Sequence, residues 1–143
     1  MPLIPDPIGL LPFVGIKLIG YSAAGAYLRH AALTARGDEA PGVDVVRALG
    51  FGAARTVLGL IGGVGYGLLG GAFLPQAGLF GMLLALAPLR VLEWTLMVLL
   101  FFEPRDLQRR FLWLGILGGT LVSYLLDIPA WGIWSLFPAV GIC

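Results

Sequence analysis

Ionised side chains are scarce in this sequence of 143 residues: Asp, Glu, Lys and Arg together make up 12% of it. A soluble domain carries about 25%. The few charges nearly cancel, at a net +1, so the chain lacks the basic footprint that nucleic acid requires and no nucleic-acid partner is expected. Cysteine and histidine are as sparse, with Cys143 and His30 the sole representatives. One cysteine forms no internal disulfide, and two such residues cannot supply the ligand set of a zinc or haem site, so neither metal nor cofactor is expected.

Catalytic signatures are lacking too. There is no phosphate-cradling Walker loop, nucleophile elbow, HExxH motif or pair of catalytic carboxylates. The glycine-rich GLIGGVGYGLLG lies inside a long apolar stretch with no acidic partner downstream, so it is no dinucleotide motif. Ser22 and Ser123 have no histidine base at a comparable depth. An enzyme is the least favoured class. The opening MPLIPDPIGL carries no positive n-region and no small-residue cleavage site, and neither end bears a lipidation motif. The first hydrophobic stretch is therefore expected to stay in the mature protein.

What the chain has in abundance is hydrocarbon. Hydrophobic residues form 59% of it and the mean hydropathy is +0.95. A domain of this size leaves too much surface in water to hide so many apolar side chains in a core, so the surrounding solvent must be lipid. Four stretches reach the roughly 20 apolar residues a transmembrane helix needs: about 8–28, 45–71, 79–102 and 111–127. The expected fold is an all-α bundle of four transmembrane helices in a single domain. Arg29 and His30 close the first span, and Glu103-Pro104 stops the third. Pro129 biases Ile128 out of helix, so residues 129–143, with Trp131, Trp134 and Phe137, read as a short interfacial tail at headgroup level, with a tilted continuation of the fourth helix as the less favoured alternative. Local kinking is expected near Gly62-Gly63 and at Pro88.

Loop charges orient these spans. The first loop carries Arg29, Arg36 and, at its edge, Arg47, and the third carries Arg105, Arg109 and Arg110, whereas AFLPQAG between spans two and three is uncharged. Positive residues gather in cytoplasmic loops. The expectation is a multi-pass protein of a bacterial-type inner membrane with both termini outside and both arginine-bearing loops cytoplasmic.

Two patterns inside the spans bear on packing and function. Gly59, Gly63, Gly67 and Gly71 recur every four residues in span two, as do Gly115, Gly119 and Ser123 in span four, continuing to Asp127. Residues four apart share a helix face, and small ones let helices approach closely where lipid offers no hydrophobic drive. The second pattern is charge at bilayer depth: Lys17, Arg55, Arg90 and Glu93 lie well inside their spans, and Asp127 is expected near the outer boundary. Each costs at least about 2.5–3.5 kcal/mol unless it turns inward and finds a partner. Arg90 and Glu93, three apart, can pair on one face. Tyr21 and Tyr66 lie near the faces of Lys17 and Arg55 and can offer hydroxyls. Lys17, Arg55 and Arg90 against Glu93 leave two positive charges over, which points to an anion such as phosphate, a carboxylate or a lipid headgroup, bound or transported between the helices. The other reading is an accessory or structural subunit of a larger membrane complex, whose charges merely lock helix order. Four spans enclose little volume, so besides the bilayer either reading expects more copies or other subunits as partners.

Overall fold

The computed structural model describes residues 7–37, 42–70, 78–102 and 109–136, and these contain helix and short turns with no strand. The helices are α1 (Pro7–Arg36), α2 (Val45–Gly70), α3 (Gly78–Phe101) and α4 (Arg109–Leu136). The shortest, α3, has 24 residues, which at 1.5 Å per residue is about 36 Å against a hydrocarbon core of about 30 Å. All four are long and apolar enough to cross a membrane.

Two boundaries differ from expectation. Helix α1 does not close at Arg29-His30 but runs on to Arg36 and ends at Gly37, whose φ of 76° and amide bond to the Thr34 carbonyl (3.0 Å) make a left-handed cap. The second difference is at Pro129, where α4 does not stop; it continues to Leu136, carrying the backbone of Trp131 and Trp134 with it. Phe137 and the rest of the expected tail lie outside the described residues. Proline loses one amide donor and frees one carbonyl, but leaving a whole segment unpaired in hydrocarbon costs far more, so the helix persists. The same holds in α3, which passes through Pro88 as one helix.

The helices pack in a ring, each against its sequence neighbour, with α1 closing on α4. Each neighbouring pair around the ring runs antiparallel. Gly25 of α1 faces Phe51 of α2, while Leu18 and Ser22, earlier in α1, face Gly52, later in α2. Between α3 and α4, Phe102 meets Phe111, Trp94 meets Gly119 and Arg90 meets Asp127. This is an up-down-up-down bundle.

Burial is inverted relative to a water-soluble protein. Ile19, Val57, Ile61, Leu84, Leu100 and Leu121 are exposed, whereas Lys17, Arg55, Thr56, Arg90, Glu93 and Ser123 are buried. Hydrocarbon outside and ionised groups inside is the arrangement lipid selects, because a charge is tolerated at that depth only when the bundle encloses it.

The interior has two storeys. Near the Arg29–Arg47 end, Phe51 stacks edge-on against Phe101 and Phe102, centroids 5.1 and 6.3 Å away, and tilts against Trp94 at 5.8 Å. Met97, Val98 and Ile116 fill in around these rings. Beyond Trp94 the interior turns from aromatic to ionic.

Candidate functional site

The ionic storey draws on all four helices. Exposures of 7% for Lys17, 0% for Arg55, 7% for Arg90 and 2% for Glu93 show all four turned inward. Lys17 Nζ, from α1, lies 2.7 Å from Asp127 Oδ1 of α4. Asp127 Oδ2 accepts from Arg90 Nη2 of α3 at 3.1 Å. One turn along α3, Glu93 Oε2 accepts from Arg90 Nη1 at 3.3 Å and from Arg55 Nη2 of α2 at 2.7 Å. The result is an unbroken line of charge, Lys17–Asp127–Arg90–Glu93–Arg55. The spacing of Arg90 and Glu93 gave their pairing. The expected excess of two positive charges falls to one, because Asp127 belongs to the line.

Asp127 reaches it because α4 presents one face to the interior. Gly115, Gly119, Ser123 and Asp127 are four apart, and the first three are buried. Gly119 receives the Trp94 ring, which leaves no room for a Cβ. Ser123 then gathers the polar ends of the layer. Its Oγ accepts from Trp94 Nε1 at 2.8 Å and from Arg55 Nη2 at 3.1 Å, and shares a hydrogen bond with the Tyr21 hydroxyl at 3.4 Å. Tyr21 therefore serves Ser123 rather than Lys17, and its ring lies 4.8 Å from the Arg55 guanidinium carbon, with the Trp94 ring at 5.4 Å. Aromatic faces attract a cation most where water is excluded. Lys17 in turn lies 4.5 Å from the centre of the Phe13 ring.

Other expected members are placed differently. Tyr66 is half-buried and within electrostatic reach of Tyr124, but eleven residues of helix put it about 16 Å along the axis from Arg55, at another depth. Gly59 faces the charges: a Cβ there would stand 3.2 Å from Arg55 Nη1 and 3.7 Å from Arg90 Nη1. Gly62, off the four-residue stripe, lies under Glu93, whose Oε1 occupies the space a Cβ would need. Gly63 is half-buried, Gly67 is placed by its backbone within α2, and Gly71 lies outside the described residues. Close helix approach occurs at Gly52, where a Cβ would be 2.7 Å from the Leu18 carbonyl oxygen of α1. Gly52 is off the glycine stripe, but it stands four residues from Ala48 and from Thr56, a repeat of small residues that was the available signal.

The line of charge does not exhaust its own polar atoms. Among the described residues, Arg55 Nε and Nη1, Arg90 Nε and Glu93 Oε1 are buried with no hydrogen-bond partner in the protein. A buried polar group left unpaired costs about 1–3 kcal/mol, and more when charged. Three of these four atoms are donors. They belong to two guanidinium groups whose planar forks suit an oxyanion, beside bare backbone at Gly59 and Gly62. The histidines, cysteines and carboxylates among the described residues form no cluster able to hold a metal. Comparison with protein-family models, with curated proteins and with solved structures gives no match for this chain.

Proposed function

We propose that the chain is a small multi-pass membrane protein that binds an anion, and passes it or holds it, between its helices at Arg55 and Arg90. The observation that carries this reading is the donor surplus. Two buried guanidinium groups retain three unpartnered nitrogens against a single unpartnered carboxylate oxygen, and the layer keeps one positive charge over. Phosphate, a carboxylate and an anionic lipid headgroup share the acceptor chemistry that would satisfy it. In the same reading the Arg29–Arg47 end and the α3–α4 loop face the cytoplasm of a bacterial-type inner membrane. The small volume within four helices favours assembly with further copies or other membrane subunits.

The test is anion binding to the purified protein and anion flux into liposomes, for the wild type, Arg55→Gln and Arg90→Gln, with Arg47→Gln as a control. A hydrogen bond to a charged group is worth about 1.5–3 kcal/mol, so each interior variant should bind about 10- to 100-fold more weakly. The control should match the wild type. Undiminished binding by both interior variants, with folding confirmed by circular dichroism, sinks the proposal.

One observation favours the structural-subunit reading: the five charges pair end to end across all four helices, as a lock on helix order would. Copurification with unrelated membrane subunits at a fixed ratio, without anion binding, would select it.

A further inference from the structure

At the opposite side of the aromatic storey from the charges lies a groove of about 280 Å³, open along one side. It is bounded by the second half of α1, the turn before α2 and the end of α3. Its inner wall is Phe51, Phe101 and Phe102, with Leu33 alongside. Depth comes from Gly25, where the Phe51 ring presses so close to α1 that a Cβ would stand 2.6 Å from Cδ1.

Among the described lining residues, charge is confined to the rim. Asp44 Oδ2 accepts from Arg29 Nη1 at 2.9 Å and lies 3.3 Å from Arg47 Nε. Among the described residues, two arginines thus share one carboxylate, and a net positive charge remains, carried towards solvent by an Arg47 side chain that is 73% exposed. Tyr27 and Val43, each 71% exposed, flank the mouth.

We infer that this groove holds an anionic phospholipid, with its phosphate at Arg29 and Arg47 and the start of an acyl chain against Phe51 and Phe101. The two halves of the site select the occupant jointly. A free anion gains nothing from the phenyl wall, and a zwitterionic lipid brings no net charge to answer the surplus at the rim. Only an amphiphile that joins a negative head to hydrocarbon uses both, and a bilayer presents it at this height, where a helix bundle emerges into the headgroup layer. Basic recesses between transmembrane helices hold anionic headgroups in this way. The site is separate from the Arg55–Arg90 layer, since Phe51 and Trp94 lie between them, and it requires only that the protein be membrane-embedded.

The experiment is native mass spectrometry of the full-length protein released from detergent with phosphatidylglycerol and phosphatidylcholine at equal concentration. The wild type should retain phosphatidylglycerol about fivefold over phosphatidylcholine, the ratio that about 1 kcal/mol per basic residue gives. Arg47→Gln, a change at an exposed side chain, should bring that ratio close to one. Ala26→Phe, which fills the groove and leaves every charge in place, should reduce retention of both lipids, whereas Arg55→Gln should leave the ratio unchanged. Equal retention of the two lipids by the wild type overturns the inference. So does a preference that survives Arg47→Gln, or displacement of phosphatidylglycerol by an equal concentration of inorganic phosphate. Failure here leaves anion binding at Arg55 and Arg90 standing, because that is read with a soluble anion and different variants.

Discussion

The two storeys of the interior are held by opposite means. Around Phe51 the helices meet through ring edges and methyl groups, contacts that are individually weak, adaptable and indifferent to small changes of angle. Between Lys17 and Arg55 they meet through ion pairs of 2.7–3.3 Å, each fixing a pair of atoms. In water the aromatic storey would carry the fold. In lipid, apolar contact between helices competes with equally apolar acyl chains, so packing and directed polar contacts have to hold the helices together. The difference teaches where this molecule is intolerant: shape is negotiable in the first storey, and partner identity is not in the second.

The sharpest way to break that comparison is one substitution in each storey. Glu93→Gln keeps the side-chain shape but leaves Arg55 and Arg90 facing each other with the shared negative charge gone. Breaking a buried pair costs about 3–5 kcal/mol, and here one carboxylate serves two guanidinium groups. Phe51→Leu, a loss of ring volume at a purely apolar contact, should cost less, about 1–2 kcal/mol. Reversible unfolding in mixed detergent micelles measures both. Equal losses would mean that the ionic storey is no more demanding than the aromatic one. The cycle with Arg55→Gln sharpens the result, because removing both partners should cost less than the sum of the single changes.

A smaller effect is expected where the storeys join. Trp94 packs its ring against Gly119 and donates to Ser123 at 2.8 Å, so its ring cannot withdraw without surrendering that bond. Gly119→Ala should destabilise by about 1–3 kcal/mol through overpacking. Its neighbour Gly118 faces open space, with nothing near a Cβ, and Gly118→Ala should stabilise slightly through helix propensity. Thermal unfolding of the two variants side by side checks this, and a loss in both would show that the interior does not rest on Trp94 at this point.

Much of this was legible in the residues themselves. Apolar length and loop arginines gave four helices, and the i, i+3 spacing of Arg90 and Glu93 gave their ion pair. The membership of Asp127 was harder to read. Counting residues from the loop puts it towards the end of α4, and its partner Lys17 lies 110 positions away in sequence, so only the closure of α1 on α4 brings them together. The stripe Gly115, Gly119, Ser123 held the clue, since it aims Asp127 inward. At Pro129 the helix end misled for a physical reason: proline is a stop signal in water, where free carbonyls are solvated, but hydrocarbon penalises the unpaired backbone that a stop would leave. Gly52 and Gly62 escaped because close approach depends on what the facing helix presents, here the Leu18 carbonyl and the Glu93 carboxylate.

The polar cluster at the solvated end is the most informative about solvent. Asp44 caps α2: its Oδ1 accepts from the Arg47 amide at 3.1 Å, and its Oδ2 meets the Arg29 and Arg47 side chains. The Arg47 amide, and then the Arg29 guanidinium, hold its carboxyl below the ordinary value of 3.8. A carboxyl with a depressed folded-state pKa takes up its proton at higher pH in the unfolded chain than in the folded one. Its contribution is therefore complete above about pH 4 and is lost as pH falls further, through the folded-state value. Hydrogen exchange at the Arg47 and Ala48 amides, taken as a ratio to the same amides in Asp44→Ala, should show protection that disappears below that pH. Because the carboxylate and its arginines stand in water, raising salt from 0.1 to 1 M shortens the screening length from about 10 to about 3 Å and should weaken the effect. The cost of Glu93→Gln, enclosed by the bundle, should stay the same over that range. Equal sensitivity to salt at both sites would mean that water reaches Glu93, and the division between a solvated end and a dry ionic storey would fail.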